Sequence, residues 1–440
     1  MKLKKIIIPI IGFIILMIFT IPVIYTKQLN KNIKLKQQQL YTNYGIELKE
    51  KSNKDTFFKF NREYILNIKT IVPIALKLNP KLSLWDLKIL EDIFSDTKIL
   101  IKIQFTKYPL YHKNAINVSL YKLNKIITAF LELRDNNSKK LLSFFNNKGV
   151  QFSGDIDILS IGKIKMKDIN LDLSFAKLNI HNLFLDTNKK LFNFSLFNIE
   201  INDKHSSFKL SIKNLKNYFD KKAYFNVSNK LYIEDIEIYK KEYSHLETYK
   251  IHNIKKFFRS FLIVNKLKIS NIFNIDEISV KDNYNSFNIK NINLDYVVKN
   301  LEITPIIKLI NSHNLTPQLK NETINDLLNG GFDFYLKNFS IENITTFGVL
   351  NYSFDKIQLN ASIHLKKNSS SSFNPKLLKD KFKVSLYLET TQNNINNLLK
   401  IEPFMTMYLL KVLEKKDKNR VFINIKYKNN HLISNGRIIL

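Results

Sequence analysis

The side chains of this chain that could do chemistry are few and scattered. Its eight histidines are His112, His181, His205, His245, His252, His313, His364 and His431. No two of them lie three or four residues apart, so no helix face can offer paired imidazoles to a metal. Lone histidines of this kind read as surface or hydrogen-bonded residues. There is no cysteine, which removes disulfides, thiolate metal sites and cysteine nucleophiles. The acids that come nearest to an acid–base pair are Glu91–Asp92 and Asp333; a solvated helix face and the wet face of a strand account for them more cheaply. Gly330–Gly331 stands between a helical run and a strand, where a helix C-cap glycine belongs. With nine glycines in all, phosphate-cradling loops are scarce, and no P-loop, GxGxxG, GxSxG or HExxH motif occurs. The expectation is a protein without catalytic, cofactor-binding or metal-binding residues, and not an enzyme.

Charge carries less than its size suggests. Lys and Arg number 69 against 38 Asp and Glu, a formal net charge of +31. Such a balance attracts nucleic acid or anionic lipid. Here the lysines are spread evenly in a chain rich in Lys, Asn, Ile and Phe, which reads as base composition. Phe outnumbers Tyr 33 to 20, with one Trp, Trp85. The Phe residues alternate within strands, a core pattern rather than a base-stacking platform, and no nucleic-acid partner is expected.

Among the elements that must position these residues, the strongest local signal is Ile6 to Tyr25, an uncharged apolar run that as a helix spans about 30 Å, the hydrocarbon thickness of a bilayer. It exceeds a usual signal-peptide core and no small-residue cleavage site follows. Lysines flank both sides, so charge does not set its orientation; the short tail and the large downstream domain favour an N-in anchor. Residues 1–26 are read as tail and transmembrane helix and 27–42 as a helical stalk. Residues 43–148 form a mixed α/β part, with a helix at Ser83–Phe94, a strand at Ile99–Phe105 and a broken helical run over Tyr121–Phe145. Residues 149–440 form a β-rich domain with helical insertions near 252–261, 305–328 and 394–413. The fold class is mainly β (α+β): a transmembrane helix, then an extended, twisted antiparallel sheet with bulged strands and a few covering helices.

The most informative pattern is a recurring unit: apolar, any residue, Asn or Asp, apolar. It occurs at Met166–Ile169, Ile180–Leu183, Ile212–Leu215, Ile233–Ile236, Ile269–Ile272, Ile289–Ile292 and Leu336–Phe339, with Ile341–Ile344 overlapping the last. In a strand, apolar residues two apart share a face, and one extra residue flips everything beyond it. A kink at Asn or Asp, which tolerate left-handed backbone angles, absorbs the extra residue and keeps the apolar face continuous. One dry face and one wet face point to antiparallel sheet. The dry face needs a covering layer or must itself serve as a groove.

A basic tail leads into one span that exits at Tyr25-Thr26-Lys27-Gln28-Leu29. Tyr44-Gly45-Ile46 follows, then Ile101, Ile103 and Phe105 before Lys107-Tyr108-Pro109-Leu110, and the chain closes on Asn435-Gly436-Arg437-Ile438-Ile439-Leu440. In these elements the chain resembles the YdgA family of bacterial envelope proteins, whose function is uncharacterised; the family's histidine-glycine-proline element is represented by Pro109 alone. The resemblance implies an inner-membrane anchor through residues 6–25, a periplasmic β-rich domain and no established activity. The expected role is a non-enzymatic envelope scaffold or a binding protein for a partner or hydrophobic ligand. The alternatives are groove-type lipid handling and an envelope enzyme without a recognisable motif. Helices packed over the whole apolar face would remove the lipid reading.

Overall fold

The computed structural model of the chain describes residues 23–438, except 24–25, 29, 58, 81, 95–96, 107–114, 123–124, 133–134, 148, 157–160, 224, 312–316, 350, 368–380 and 429. Strand makes up 59% of the chain, so it is mainly β. It divides into two compact units, Met1–Ser195 and Leu196–Leu440. Apart from Val23, the segment expected to span the membrane lies outside the described residues. Among the described residues no helix is long and apolar enough to cross a membrane.

The first unit starts with a helix over 30–44. Its strands are β1 (Ile46–Asn53), β2 (Lys59–Ile68), β3 (Lys98–Thr106), β4 (Ala115–Lys122), β5 (Gln151–Ile156), β6 (Ile161–Met166), β7 (Ile169–Asp172), β8 (Ala176–His181), β9 (Phe184–Asp186) and the start of β10 (Leu191–Asn202). β1 to β6 pair antiparallel in sequence order, β6 pairs β9, β9 pairs β10, and β7 pairs β8. Phe60 and Tyr64, two of the most buried side chains of the chain, lie on one face of β2. Burial lifts the Tyr64 phenol above its usual pKa. Arg62 lies over the Phe60 ring and donates to Asp55 through Nε and Nη2 at 3.0 and 2.7 Å.

The helix expected at Ser83–Phe94 is Leu84–Phe94. Ser83 caps it: the Asp86 amide donates to Ser83 Oγ and the Asp86 carboxylate accepts from the Ser83 amide and hydroxyl. Those bonds, the hydroxyl first, hold Asp86 below the usual carboxylate range. The expected Tyr121–Phe145 run resolves into the end of β4 and helices Lys125–Glu132 and Asn136–Asn146, the latter capped by Asp135 accepting from the Ser138 amide.

The second unit is a long antiparallel ribbon. Its strands are β11 (Ser206–Ala223), β12 (Asn226–Glu242), β13 (His245–Ile263), β14 (Lys266–Lys281), β15 (Ser286–Glu302), β16 (Phe332–Ile341), β17 (Asn343–Phe347), β18 (Tyr352–Phe354), β19 (Ile357–Leu365), β20 (Phe382–Thr391), β21 (Glu414–Lys415), β22 (Arg420–Lys428), β23 (His431–Ser434) and β24 (Arg437–Ile438). β11 to β15 pair in sequence order. β15 pairs both β16 and β17, and the ribbon continues through β19, β20, β22, β23 and β24. Every neighbour pair is antiparallel, as expected from one dry and one wet face.

Helices Ile303–Asn311 and Pro317–Gly330 link β15 to β16, and helices Gln392–Ile401 and Pro403–Leu410 lie between β20 and β21. They occupy the expected insertions near 305–328 and 394–413. Gly331 follows the second with φ +71°, its amide bonded to the Leu328 carbonyl at 3.2 Å, the left-handed C-cap expected there. An added Cβ would lie 2.6 Å from the Leu365 carbonyl. Asn394, 1% exposed, ties Gln392–Ile401 to the ribbon. Its Oδ1 accepts from the Asp355 amide at 2.6 Å, and its Nδ2 donates to Thr390 Oγ1 at 2.7 Å and to the Asp355 carbonyl at 3.1 Å.

The helix expected near 252–261 is instead the middle of β13. Ile254, Phe257, Phe258, Phe261 and Leu262 follow a helical spacing, but the same spacing arises when a strand carries apolar residues on both faces. Ile254, Phe258 and Leu262 fall on one face, Phe257 and Phe261 on the other. Backbone pairing to both β12 and β14 decides the matter, because each amide and carbonyl then has a partner without helix formation.

Candidate binding surface

The recurring unit organises the ribbon. Asn214 (φ +48°), Asn253 (φ +54°) and Asn291 (φ +54°) are left-handed, as Asn182 (φ +53°) is in the first unit. They lie at one level of β11, β13 and β15. At the same level β12, β14 and the β16–β17 junction carry Glu234, Asp276 and Glu342. Asn214 Nδ2 donates to Glu234 Oε2, Asn253 Nδ2 to Asp276 Oδ2 at 2.5 Å, and Asn291 Nδ2 to Glu342 Oε2 at 2.5 Å. In the first unit Asp168 Oδ1 accepts from the Asn182 amide at 2.9 Å. The result is a transverse crease in which amide and carboxylate alternate from strand to strand.

This differs from the expected bulge in one respect. A bulge sets two residues against one, yet pairing across the crease keeps its register: Lys213 faces Asp235 and Lys216 faces Tyr232, while Ile251 faces Ile278 and Ile254 faces Ile275. Every strand carries the same extra residue, so none slips against its neighbour. The Ile269–Ile272 unit is no kink at all. Ser270, Asn271 and Ile272 pair regularly with Arg259, Phe258 and Phe257, because β13 has no extra residue at that level. Ile272 therefore emerges on the opposite face, 39% exposed. At Leu336–Phe339 a true register shift occurs against β19. Two units escape the sequence reading, at Asn253 and at Asn300 (φ +62°). The missed signal was the alternation itself: Ile-(Lys/His)-Asn-(Ile/Leu) on one strand, and on the next Ile-acid-(acid/Asn)-Ile.

On one face, the crease brings apolar residues into two rows. Ile212, Ile236, Ile251, Ile278, Ile289, Ile344 and Phe354 stand directly opposite one another across seven strands. Beyond the crease Ile233, Ile254, Ile275 and Ile292 form the second row. Ile233, Ile254 and Ile275 are buried, and the partly buried apolar side chains packed against them all come from strands. Towards the margin, Phe208, Tyr249 and Phe287 remain more than a third exposed.

Beside the first row, the opposite face is polar. Asp235 bridges Lys213 and His252, at 3.9 and 2.6 Å, and Lys250 meets Glu237 at 2.7 Å. That bond comes first among the causes that hold Glu237 below the usual carboxylate range. Glu237 also lines an open cleft of about 410 Å³ with Glu200, Ser207, Lys209 and Tyr239. His252 is held above the usual histidine range, first by its bond to Asp235; burial opposes this, and the charges of Asp235, Asp276 and Glu234 add to it. Folded His252 thus keeps its proton to a higher pH than unfolded His252. The stabilisation is complete below the unfolded-state pKa and fades as pH rises through the folded value. Asp235→Asn is expected to lower the His252 pKa, followed by NMR titration of the ring protons; an unmoved titration would discount Asp235 as the cause.

The sequence-level candidates do not converge. His181, His245 and His364 pair with Asp168, Glu247 and Asp333, His205 stacks on Tyr243, and His431 is exposed in β23. His112 and His313 lie outside the described residues. Glu91 Oε2 accepts from Thr70 Oγ1 and the Ile71 amide, both at 3.0 Å, at the start of helix Val72–Leu78, while Asp92 is exposed. Asp333 is buried and accepts from Asn300 Nδ2 at 2.5 Å. Among the described residues no group of three or more His, Asp or Glu could hold a metal ion. No protein-family model, curated protein or solved structure matches the chain.

Proposed function

We propose that this chain is a membrane-anchored envelope protein, not an enzyme, whose ribbon holds a hydrophobic chain along its apolar face. The observation that carries this reading is the apolar row from Ile212 to Phe354, continuous across seven strands. At roughly 4.8 Å between strands it offers about 29 Å of apolar surface. An acyl chain, which fills about half of a ~30 Å bilayer core, fits along it. The half-exposed aromatic margin at Phe208, Tyr249 and Phe287 would admit the chain. The packing around Ile254 comes from strands, which favours a groove over a face sealed by helices. The apolar run from Ile6 to Tyr25 and the resemblance to the YdgA family support an anchor in the inner membrane with the domain in the periplasm. A scaffold for a protein partner is the second reading, favoured by the closed centre at Ile233, Ile254 and Ile275.

Site-specific photo-crosslinking in cells fed a labelled fatty acid tests this. A crosslinking residue at Ile251, on the apolar row, is expected to capture the label; one at Lys250, on the polar face, is not. Equal capture at both, or none at either, would overturn the groove, and protein adducts at Ile251 would favour the scaffold.

A further inference from the structure

The helix Pro403–Leu410 reads PFMTMYLL, with apolar residues all round. Such a helix belongs in a core or against lipid. Here it packs on helix Gln392–Ile401, and its Thr406 is buried and donates to the Glu402 carbonyl at 2.7 Å. Phe404, about 200° around the helix from Thr406, is 77% exposed, and Met407 and Leu410 are 58% and 43% exposed. Ile401, at the end of the preceding helix, is 42% exposed. With Leu409, five large apolar side chains thus reach solvent within ten residues, the density that marks an interaction site. Lys400 and Lys411 bracket the helix, and Lys415 and Lys418 follow; all four are exposed.

We infer that this helix is a membrane-docking element that lodges Phe404, Met407 and Leu410 in the interfacial layer of an anionic bilayer. The helix has no polar face of its own; its exposed apolar side chains supply the burial at the headgroup–acyl boundary that holds a segment in the interface, and the flanking lysines gain from anionic lipid. Charge decides between occupants. A second copy of this chain, at +31, would repel the lysine rim, whereas an anionic lipid surface complements it. The inference is independent of the acyl-chain groove: that site lies on β11 to β18, and either can fail alone.

The test uses the full chain with Trp85→Phe and Phe404→Trp, so that the helix carries the single tryptophan. The protein is reconstituted into vesicles of phosphatidylglycerol and phosphatidylcholine. In one arm these vesicles contain brominated phosphatidylglycerol; in the other, brominated vesicles are added afterwards. Blue-shifted emission quenched by bromine is expected, in the first arm for docking on the anchoring membrane and in the second for docking on a facing one. Added Met407→Ser and Leu410→Ser should cut the quenching several-fold, and replacing phosphatidylglycerol by phosphatidylcholine should cut it likewise. A probe at Phe347, 61% exposed on β17, should stay unquenched. Absence of quenching in both arms, equal quenching in neutral vesicles, equal quenching at position 347, or a concentration-dependent blue shift in detergent without lipid would each overturn the inference, the last in favour of self-association.

Discussion

Ile254→Ala is expected to destabilise the ribbon by about 2–5 kcal/mol, the range for emptying an isoleucine site in a packed core. Ile254 is 8% exposed and lies at the centre of the cluster that joins the two apolar rows. Its direct neighbours across the sheet, Ile233 and Ile275, are buried with it. A covering layer could relax into the cavity, but strands fixed by pairing on both sides have little room to close it. The informative control is Ile272→Ala on the opposite face, expected to cost about 1 kcal/mol or less because little apolar surface leaves water there. Urea unfolding of the two variants, compared by midpoint at constant slope, measures the difference. Equal losses would show that the two faces do not differ in packing.

Deleting Asn253 is expected to prevent β13 from folding into the ribbon. Upstream of the crease Ile251 points to the apolar face, and downstream Ile254 and Phe258 do so only because the left-handed residue consumes the odd position. Without it, Lys255, Phe257, Arg259 and Phe261 would turn inward, placing Lys255 against Ile233 and Ile275 and Arg259 further along the same face. β12 and β14 would keep their own extra residue, so β13 would fall out of register with both. Asn253→Gly, in contrast, keeps the left-handed backbone and loses chiefly the bond to Asp276, at about 1 kcal/mol. Asn253→Val retains the residue count but adds about 1–2 kcal/mol of backbone strain. The order expected from limited proteolysis and unfolding midpoints is wild type, glycine, valine, deletion. A deletion variant as protease-resistant as the valine variant would show that the crease does not set register.

The mainly β character, the antiparallel pairing and the kinks at Asn182, Asn214 and Asn291 were legible because each rests on local rules: period-two alternation, and the tolerance of asparagine for left-handed angles. Gly331 announced its cap for the same reason. The segment 252–261 misled because apolar residues on both faces of a strand imitate a helical stripe. Ile269–Ile272 misled because the unit alone is not sufficient for a kink.

By itself, the sequence determined what a residue can do within its own strand or turn: which side chains are oily, where the backbone can turn left-handed, and where a helix can begin or end. Tertiary structure alone decided what depends on the neighbouring strand. The acids Glu234, Asp276 and Glu342 complete the crease only because pairing sets them beside asparagines some 20 to 50 residues away in sequence. Likewise, the apolar row exists only once seven strands agree on one level. A kink costs free energy in one strand and is repaid only when its neighbours bend with it, which is a property of the assembled sheet.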